Sequence, residues 1–318
     1  ALLLVYSNVV LRDLGRLFSD EVFVLGLFGI PLTIFATVGS INAMNMIDGV
    51  DGLAGLVASV CFALLLVVAY ASGSQIQILL ILCVLGAIGG FLLFNMPRAG
   101  KGKASVFMGD AGSTSLGFLL AYLLISLSQS QGGQPAPMSP VTALWIFAIP
   151  LLDTLGVMLR RMWLRKSPFC ADRGHIHHLL LDAGFRVRQA VLLIAALQLL
   201  LGAAGMAGFY LAVPDIVSLL AFLLVFAGYA YLISRPWRVV PRFRELHRKT
   251  GLTVQGVRHV YVGNLDSATA VADVEALLGE RKHAHSFEIY HAGARDGANR
   301  RSYALITAGD TDNGRALV

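Results

Sequence analysis

The chain has 318 residues, of which 56% are hydrophobic and only 14% charged, and its 25 Lys and Arg against 19 Asp and Glu give a formal net charge of +6. Apolar runs of about twenty residues recur, each long enough to cross a hydrocarbon core of about 30 Å, which excludes a soluble globular protein and points to a polytopic membrane protein. Most of the basic residues lie between those runs and in the tail, where they report membrane orientation rather than nucleic acid, and the 3 cysteines, two in apolar runs and one in a basic loop, imply no disulfide framework.

The chain opens on the apolar stub Ala1-Leu-Leu-Leu-Val-Tyr6 and meets Arg12 too soon for a spanning helix, so the natural N-terminus is expected upstream. A mixed-charge connection with Arg12, Asp13, Arg16, Asp20 and Glu21 leads into a span predicted at 22–44. Further spans are predicted at 53–70, 76–94, 116–127, 141–162, 190–211 and 216–233, seven crossings in all, making an all-α multi-span bundle of residues 1–240 that lacks its N-terminal spans. Segments 95–113 and 160–188 and the chain after Arg235 are rich in Lys and Arg, whereas the turns near Gly73, Gly133 and Pro214 have none. The positive-inside tendency places the first set in the cytoplasm. All the polar clusters then share one membrane face, whereas polar residues scattered at random would be divided between two.

Beyond Pro241 the apolar runs stop. A basic linker is expected at 241–257 and a small soluble α+β module at 258–318, with strands at 258–264, 286–291 and 302–307, a helix at 268–280 and a second helix beginning at Asp310. The order β-α-β-β-α suggests a ferredoxin-like module without its last strand. Val260-Tyr-Val-Gly-Asn-Leu265 is similar to the first short motif of RNA-recognition modules, but Leu305 stands where the second needs an aromatic on which to stack bases. RNA binding is therefore not assigned; a regulatory ligand-binding module and a structural appendage both remain.

Three polar stretches carry chemistry. In Asn42-Ala-Met-Asn45-Met-Ile-Asp48-Gly-Val-Asp51-Gly, a further helical turn would put Asp48 and Asp51 on one face, with Asn45 one turn before them. Carboxylates that close repel one another unless a cation or a shared proton lies between them, and hard oxygen ligands suit Mg²⁺ or Mn²⁺ where a substrate phosphate completes the shell. The alternative is a polar turn with an asparagine cap. Phe107-Met-Gly-Asp110-Ala-Gly-Ser113 sets one carboxylate among small residues where a helix begins, a place for a metal bridging to phosphate or for a simple cap. Asp172-Arg-Gly-His175-Ile-His177-His178 follows Arg160, Arg161, Arg165 and Lys166. Its spacing fits no zinc pattern, so imidazoles amid arginines suit phosphates or a nucleotide, with a basic loop on the lipid surface as the other reading. Asp153 lies within the apolar run 141–162, where an ionised carboxylate is expensive. Either it faces a polar interior or the helix starts later than the apolar run does, and structural and substrate-facing roles both stay open.

These stretches, with Pro140-Val-Thr-Ala-Leu-Trp145, Pro150-Leu-Leu-Asp153 and Ser167-Pro-Phe, stand in an order that resembles the polyprenyl-phosphate N-acetylhexosamine-1-phosphate transferases (glycosyltransferase family 4) over roughly residues 1–250. The branch resembled uses undecaprenyl phosphate and N-acetylglucosamine and starts O-antigen and common-antigen synthesis. The resemblance implies that undecaprenyl phosphate attacks the β-phosphate of a UDP-N-acetylhexosamine, giving polyprenyl-diphospho-sugar and UMP, with Mg²⁺ or Mn²⁺ required. It implies a multi-pass protein of a bacterial inner membrane with its site facing the cytoplasm, compatible with a homodimer. By the same resemblance Asp48, Asp51 and Asp110 are catalytic and Asp110 and Asp48 hold the metal. Asn42 and Asn45 help to position the metal–diphosphate or the nucleotide, and Arg161, His175, His177 and His178 hold phosphates of the sugar nucleotide. The family's Asp-Asp-x-x-Asp motif has no match here and is expected upstream, so the chain without it is expected to be inactive and to regain turnover when that sequence is restored.

A transporter is the main rival, since intramembrane acids can mark ion pathways, but no internal repeat is visible and the acids gather at one face. A CDP-alcohol phosphotransferase is discounted, because Asp48-Gly-Val-Asp-Gly-Leu-Ala lacks the arginine of that signature.

Overall fold

The computed structural model describes residues 1–18, 21–96, 104–130, 134–163, 165, 167, 174–235 and 239–243, together with the backbone of three strands in the tail. In chain order the helices are α1 (Leu2–Tyr6), α2 (Gly29–Ile47), α3 (Leu53–Ser72), α4 (Gln75–Asn95), α5 (Gly109–Leu127), α6 (Pro140–Ile146), α7 (Ala148–Trp163), α8 (Ile176–Asp182), α9 (Val187–Tyr210) and α10 (Asp215–Ile233). The strands are β1 (His259–Leu265), β2 (Ala284–His291) and β3 (Ser302–Ala308). Among the described residues six helices are long and apolar enough to cross a membrane, or seven spans if the bent pair α6 and α7 counts as one. The chain is a multi-pass, mostly helical membrane protein.

It divides into two units, Ala1–Leu155 with Val187–Gly228, and Gly156–Arg186 with Tyr229–Val318. In the first, α3 is the central helix. Leu53, Val57, Cys61, Phe62, Leu65 and Val68 are buried along it, and it packs against α4, α5 and α9. On α4, by contrast, Leu79, Leu82 and Leu93 are exposed, as are Leu220, Leu223 and Leu224 of α10, which is the surface that lipid requires of an outer helix.

Helices in lipid gain little by hiding apolar surface from one another, so close approach at small residues sets their packing. The pair α2 and α5 shows this at Gly117. A Cβ there would come within 2.7 Å of the Ile41 Cα and 2.8 Å of the Ser40 carbonyl oxygen. The two helices therefore touch at backbone level, and they run antiparallel, with the end of α2 beside the start of α5.

Two predicted spans are corrected. The one drawn from 22 begins with a turn of 3-10 helix at Gly26–Phe28, because Val24 forms a bridge with Asp13, and the Leu25 N–H donates to the Arg12 carbonyl at 2.8 Å. Residues 22–24 are thereby held in extended pairing, and Leu25 already has helical dihedrals. The span drawn as one helix at 141–162 is broken at Phe147, where α6 and α7 meet at 83°. Ser139 caps α6, its hydroxyl oxygen accepting from the Thr142 N–H at 3.2 Å, with Pro140 in the first helical position, where its missing N–H costs nothing. The break frees backbone groups that must be satisfied away from water. Gln198 of α9 does this from a fully buried position: its Oε1 accepts from the Ile149 N–H at 2.8 Å and its Nε2 donates to the Ile146 carbonyl at 2.7 Å.

In the second unit the strands form one sheet in the order β1-β3-β2, with β3 antiparallel to both neighbours. In register, His259 faces Thr307 and Phe287 faces Ile306. The strands lie where they were predicted to within a few residues. The expected helix at 268–280, the one from Asp310, and all but 241–243 of the linker fall outside the described residues.

Replacing Gln198 with Leu removes both bonds across the break and leaves a buried N–H and a buried carbonyl to be satisfied, at a cost of about 1–3 kcal/mol. The expected outcome is a thermal unfolding midpoint in detergent lower by roughly 5 °C. An unchanged midpoint would show that the break needs no such support.

Candidate active site

The end of α2, the turn after it and the first turn of α5 come together in the first unit. Asp48 caps α2: its N–H donates to the Asn45 carbonyl at 3.3 Å and its ψ of 45° ends the helix. Asp48 and Asp51 therefore lie in a turn and do not share a helical face, as a longer α2 would have required. The reason is local. Gly49 follows Asp48, and Gly52 adopts φ +83°, a left-handed conformation that glycine takes without strain and that opens α3. A Cβ on Gly52 would also run into the sulfur of Met96, so the turn lies flat on the end of α4.

Asp110 stands in the first turn of α5, after Gly109 at φ +67°. From α2, the Asn45 Nδ2 donates to Asp110 Oδ1 at 3.0 Å and to the Ser113 hydroxyl at 3.1 Å. One carboxamide thus orients the Asp110 carboxylate across the helix seam that Gly117 closes. Asp48 is half-buried beside it. Burial first, then the charges of Asp110 and Asp51, push the Asp48 carboxyl up from the ordinary 3.8 to about 6. Asp51 Oδ2 accepts from the Ala104 N–H at 3.1 Å, which ties the turn to the segment that leads into α5.

Asn45, Asp48, Asp51 and Asp110, all marked by the sequence motifs, come together in the structure. Asn42 is exposed, one turn earlier on α2. Among the described residues no three His, Cys, Asp or Glu side chains are gathered tightly enough to hold an ion by themselves. The chemistry of the set still fits a hard cation: Mg²⁺ binds through one or two carboxylates and leaves its remaining positions to water and substrate phosphates. A cation beside Asp48 and Asp110 would also relieve the repulsion that raises Asp48.

The second unit holds the basic cluster. Arg160 and Arg161 lie in the last turn of α7, where cations favour the helix dipole, and both are buried. His175 precedes α8 in extended conformation, and His177 and His178 stand in its first turn, so two of the three histidines expected in a loop lie on a short helix. The His175 and His177 rings stack with centroids 5.6 Å apart and an interplanar angle of 10°, and the His177 and His178 rings lie 4.3 Å apart. His177 is only 2% exposed.

Asp153 is buried at 1% exposure and engaged by neighbouring groups. Asp153 falls in the second turn of α7, which starts at Ala148, near the middle of the bent pair formed by α6 and α7. Two residues outside the expected set bond to the same elements. Ser113 receives the second Asn45 bond, and its signal was its place three residues after Asp110 in the glycine-rich motif. Asn95 accepts from the Gly52 N–H at 2.7 Å and donates to the Val106 carbonyl at 2.6 Å; its only signal was a carboxamide ending an apolar run just before a proline.

A family model, that of glycosyl transferase family 4, matches residues 1–128, the stretch that holds Asn45, Asp48, Asp51 and Asp110. The undecaprenyl-phosphate alpha-N-acetylglucosaminyl 1-phosphate transferase of Escherichia coli O157:H7 is 41% identical over 248 residues, which cover 78% of this chain and 66% of that protein. The protein of the same name in Yersinia pestis is 41% identical over 247 residues, 76% of this chain and 67% of its own length. The one in Haemophilus influenzae is 38% identical over 243 residues, 76% and 68% of the two chains. The chain thus spans about two thirds of the length of these relatives.

Asp48 sets a stability test with a definite sign. Its folded-state pKa lies above the unfolded value, so the stability carried by its protonated form is fully present below about 3.8 and is lost as pH rises through about 6. Without added divalent cation, Asp48→Asn is expected to raise the unfolding midpoint above pH 6 and to leave it unchanged below pH 4. A midpoint difference that is the same at both pH values would contradict the charge crowding.

Proposed function

The chain belongs to glycosyl transferase family 4, and on that premise we propose that it transfers N-acetylglucosamine-1-phosphate from a UDP-sugar to undecaprenyl phosphate, beginning a cell-surface polysaccharide. The observation that carries this reading is the meeting of Asp48 and Asp110 across the α2–α5 seam, with Asn45 bonded to Asp110. In the reaction a phosphate oxygen of the lipid attacks the β-phosphorus of the UDP-sugar. The bond from that phosphorus to the bridging oxygen breaks, and UMP leaves with the electron pair. Mg²⁺ or Mn²⁺, held by Asp110 and Asp48, would supply neutralisation of the negative charge that grows on the leaving phosphate.

The chain's own residues do the rest. Asn45 fixes the rotamer of the Asp110 carboxylate. Asp51 holds Ala104 beside the turn and keeps the approach to α5 in place. Asn42, exposed on the same helix, is assigned to the nucleotide, and Arg161, His175, His177 and His178 to phosphates of the sugar nucleotide; arginine forks and imidazolium rings suit phosphate oxygens. The basic segments 95–113 and 160–188 support a cytoplasmic orientation in a bacterial inner membrane. The sheet order β1-β3-β2 supports a ferredoxin-like module at the C-terminal end.

The test is UMP release from UDP-N-acetylglucosamine by membranes containing the full-length protein, with and without undecaprenyl phosphate and Mg²⁺. Release that requires both, and that falls by about 100-fold or more in Asp110→Asn, is expected, the loss being typical of a group that stabilises transition-state charge. Activation by Mg²⁺ is expected to weaken as pH falls through about 6, where Asp48 takes up a proton. No lipid-dependent release from the folded protein would overturn the proposal.

A further inference from the structure

Asn95 ends α4 at 5% exposure, and both ends of its carboxamide are committed to backbone groups from separate segments. Oδ1 accepts from Gly52, in the turn that carries Asp48 and Asp51, and Nδ2 donates to Val106, four residues before Asp110. Two more bonds close the same joint: Asp51 Oδ2 accepts from the Ala104 N–H, and the Phe94 carbonyl accepts from the Ser105 N–H at 2.9 Å. The two carboxylates of the cation site thus hang from segments that meet at one buried side chain.

Resting on the cation and phosphate reading above, we infer that Asn95 is a positioning residue that sets the spacing between Asp48 and Asp110. Its two partners have opposite polarity, one N–H and one carbonyl, so a neutral group with a donor and an acceptor is required. A carboxylate would repel the Val106 carbonyl, and an aliphatic side chain of the same size would meet neither group. Asn95 therefore acts on the cation through Asp48 and Asp110, and through the backbone that carries them.

The test is a Mn²⁺ titration of the full chain in detergent, read by electron paramagnetic resonance, which does not depend on turnover. Asn95→Leu removes both bonds, and Asn95→Ser is too short to reach both partners while leaving room for water. Each is expected to raise the Mn²⁺ dissociation constant by about tenfold, the size of effect typical of groups that hold metal ligands in place. Gln198→Leu serves as the structural control, expected to lower the unfolding midpoint while leaving Mn²⁺ affinity as in the wild type. Wild-type affinity in both Asn95 variants, or no Mn²⁺ binding by the wild type, would overturn the inference, and so would an equal loss of affinity in Gln198→Leu. Weakened Mn²⁺ binding in the Asn95 variants of a protein that releases no UMP would uphold the inference and remove the transferase reading.

Discussion

The site depends on the backbone contact between α2 and α5 at Gly117. No larger residue fits against Ile41 and Ser40 without forcing the helices apart. Once they touch there, antiparallel geometry puts Asn45 opposite Asp110 and Ser113, and the hydrogen bonds follow. The turn after α2 then carries Asp48 close enough to Asp110 for their charges to interact, and the half-burial of Asp48 weakens screening by water on its side of the pair, Asp110 being exposed. A crowded pair of carboxylates at the edge of an apolar bundle is costly by itself, and a cation bound between them would offset that cost.

A second constraint runs through the rest of the unit: lipid offers no hydrogen bonds, so every interruption of a helix needs a protein partner. Amide side chains meet that need at three places. Gln198 bridges the break at Phe147, Asn95 joins the ends of α3 and α4 to the approach of α5, and Gln129 accepts from the Arg12 N–H at 2.7 Å and the Asp13 N–H at 3.2 Å in the N-terminal segment. A carboxamide carries donor and acceptor on a neutral group, so it satisfies both kinds of backbone orphan without burying a charge.

Much of this was legible in the sequence. The long apolar runs fixed where spans lie, and the polar residues at their ends marked Asn45, Asp48, Asp51 and Asp110, because such residues are expensive near lipid unless they have work to do. The break at Phe147 had a signal that hydropathy hides. Pro150 disfavours a continuous helix and is tolerated in a first turn, and it falls in the first turn of α7. The end of α2 at Ile47 was foreshadowed by Gly49 and Gly52. The pairings of Asn95 with Gly52 and of Gln198 with Ile149 were not legible, since their partners are 43 and 49 residues away and only the packed bundle brings them together. The pairing of Val24 with Asp13 was hidden for another reason: an apolar stretch reads alike as the start of a span and as an extended segment.

In the proposed reaction Asp48 and Asp110 form the two protein sides of one cation site. Anomalous diffraction from crystals of the full-length protein grown with Mn²⁺ and UDP-N-acetylglucosamine tests it directly. A single strong anomalous peak is expected between the Asp48 and Asp110 carboxylates, with oxygens of the diphosphate completing its shell. A peak remote from both, with Asp110 still bonded to Asn45 and Asp48 bound to no ion, would contradict it.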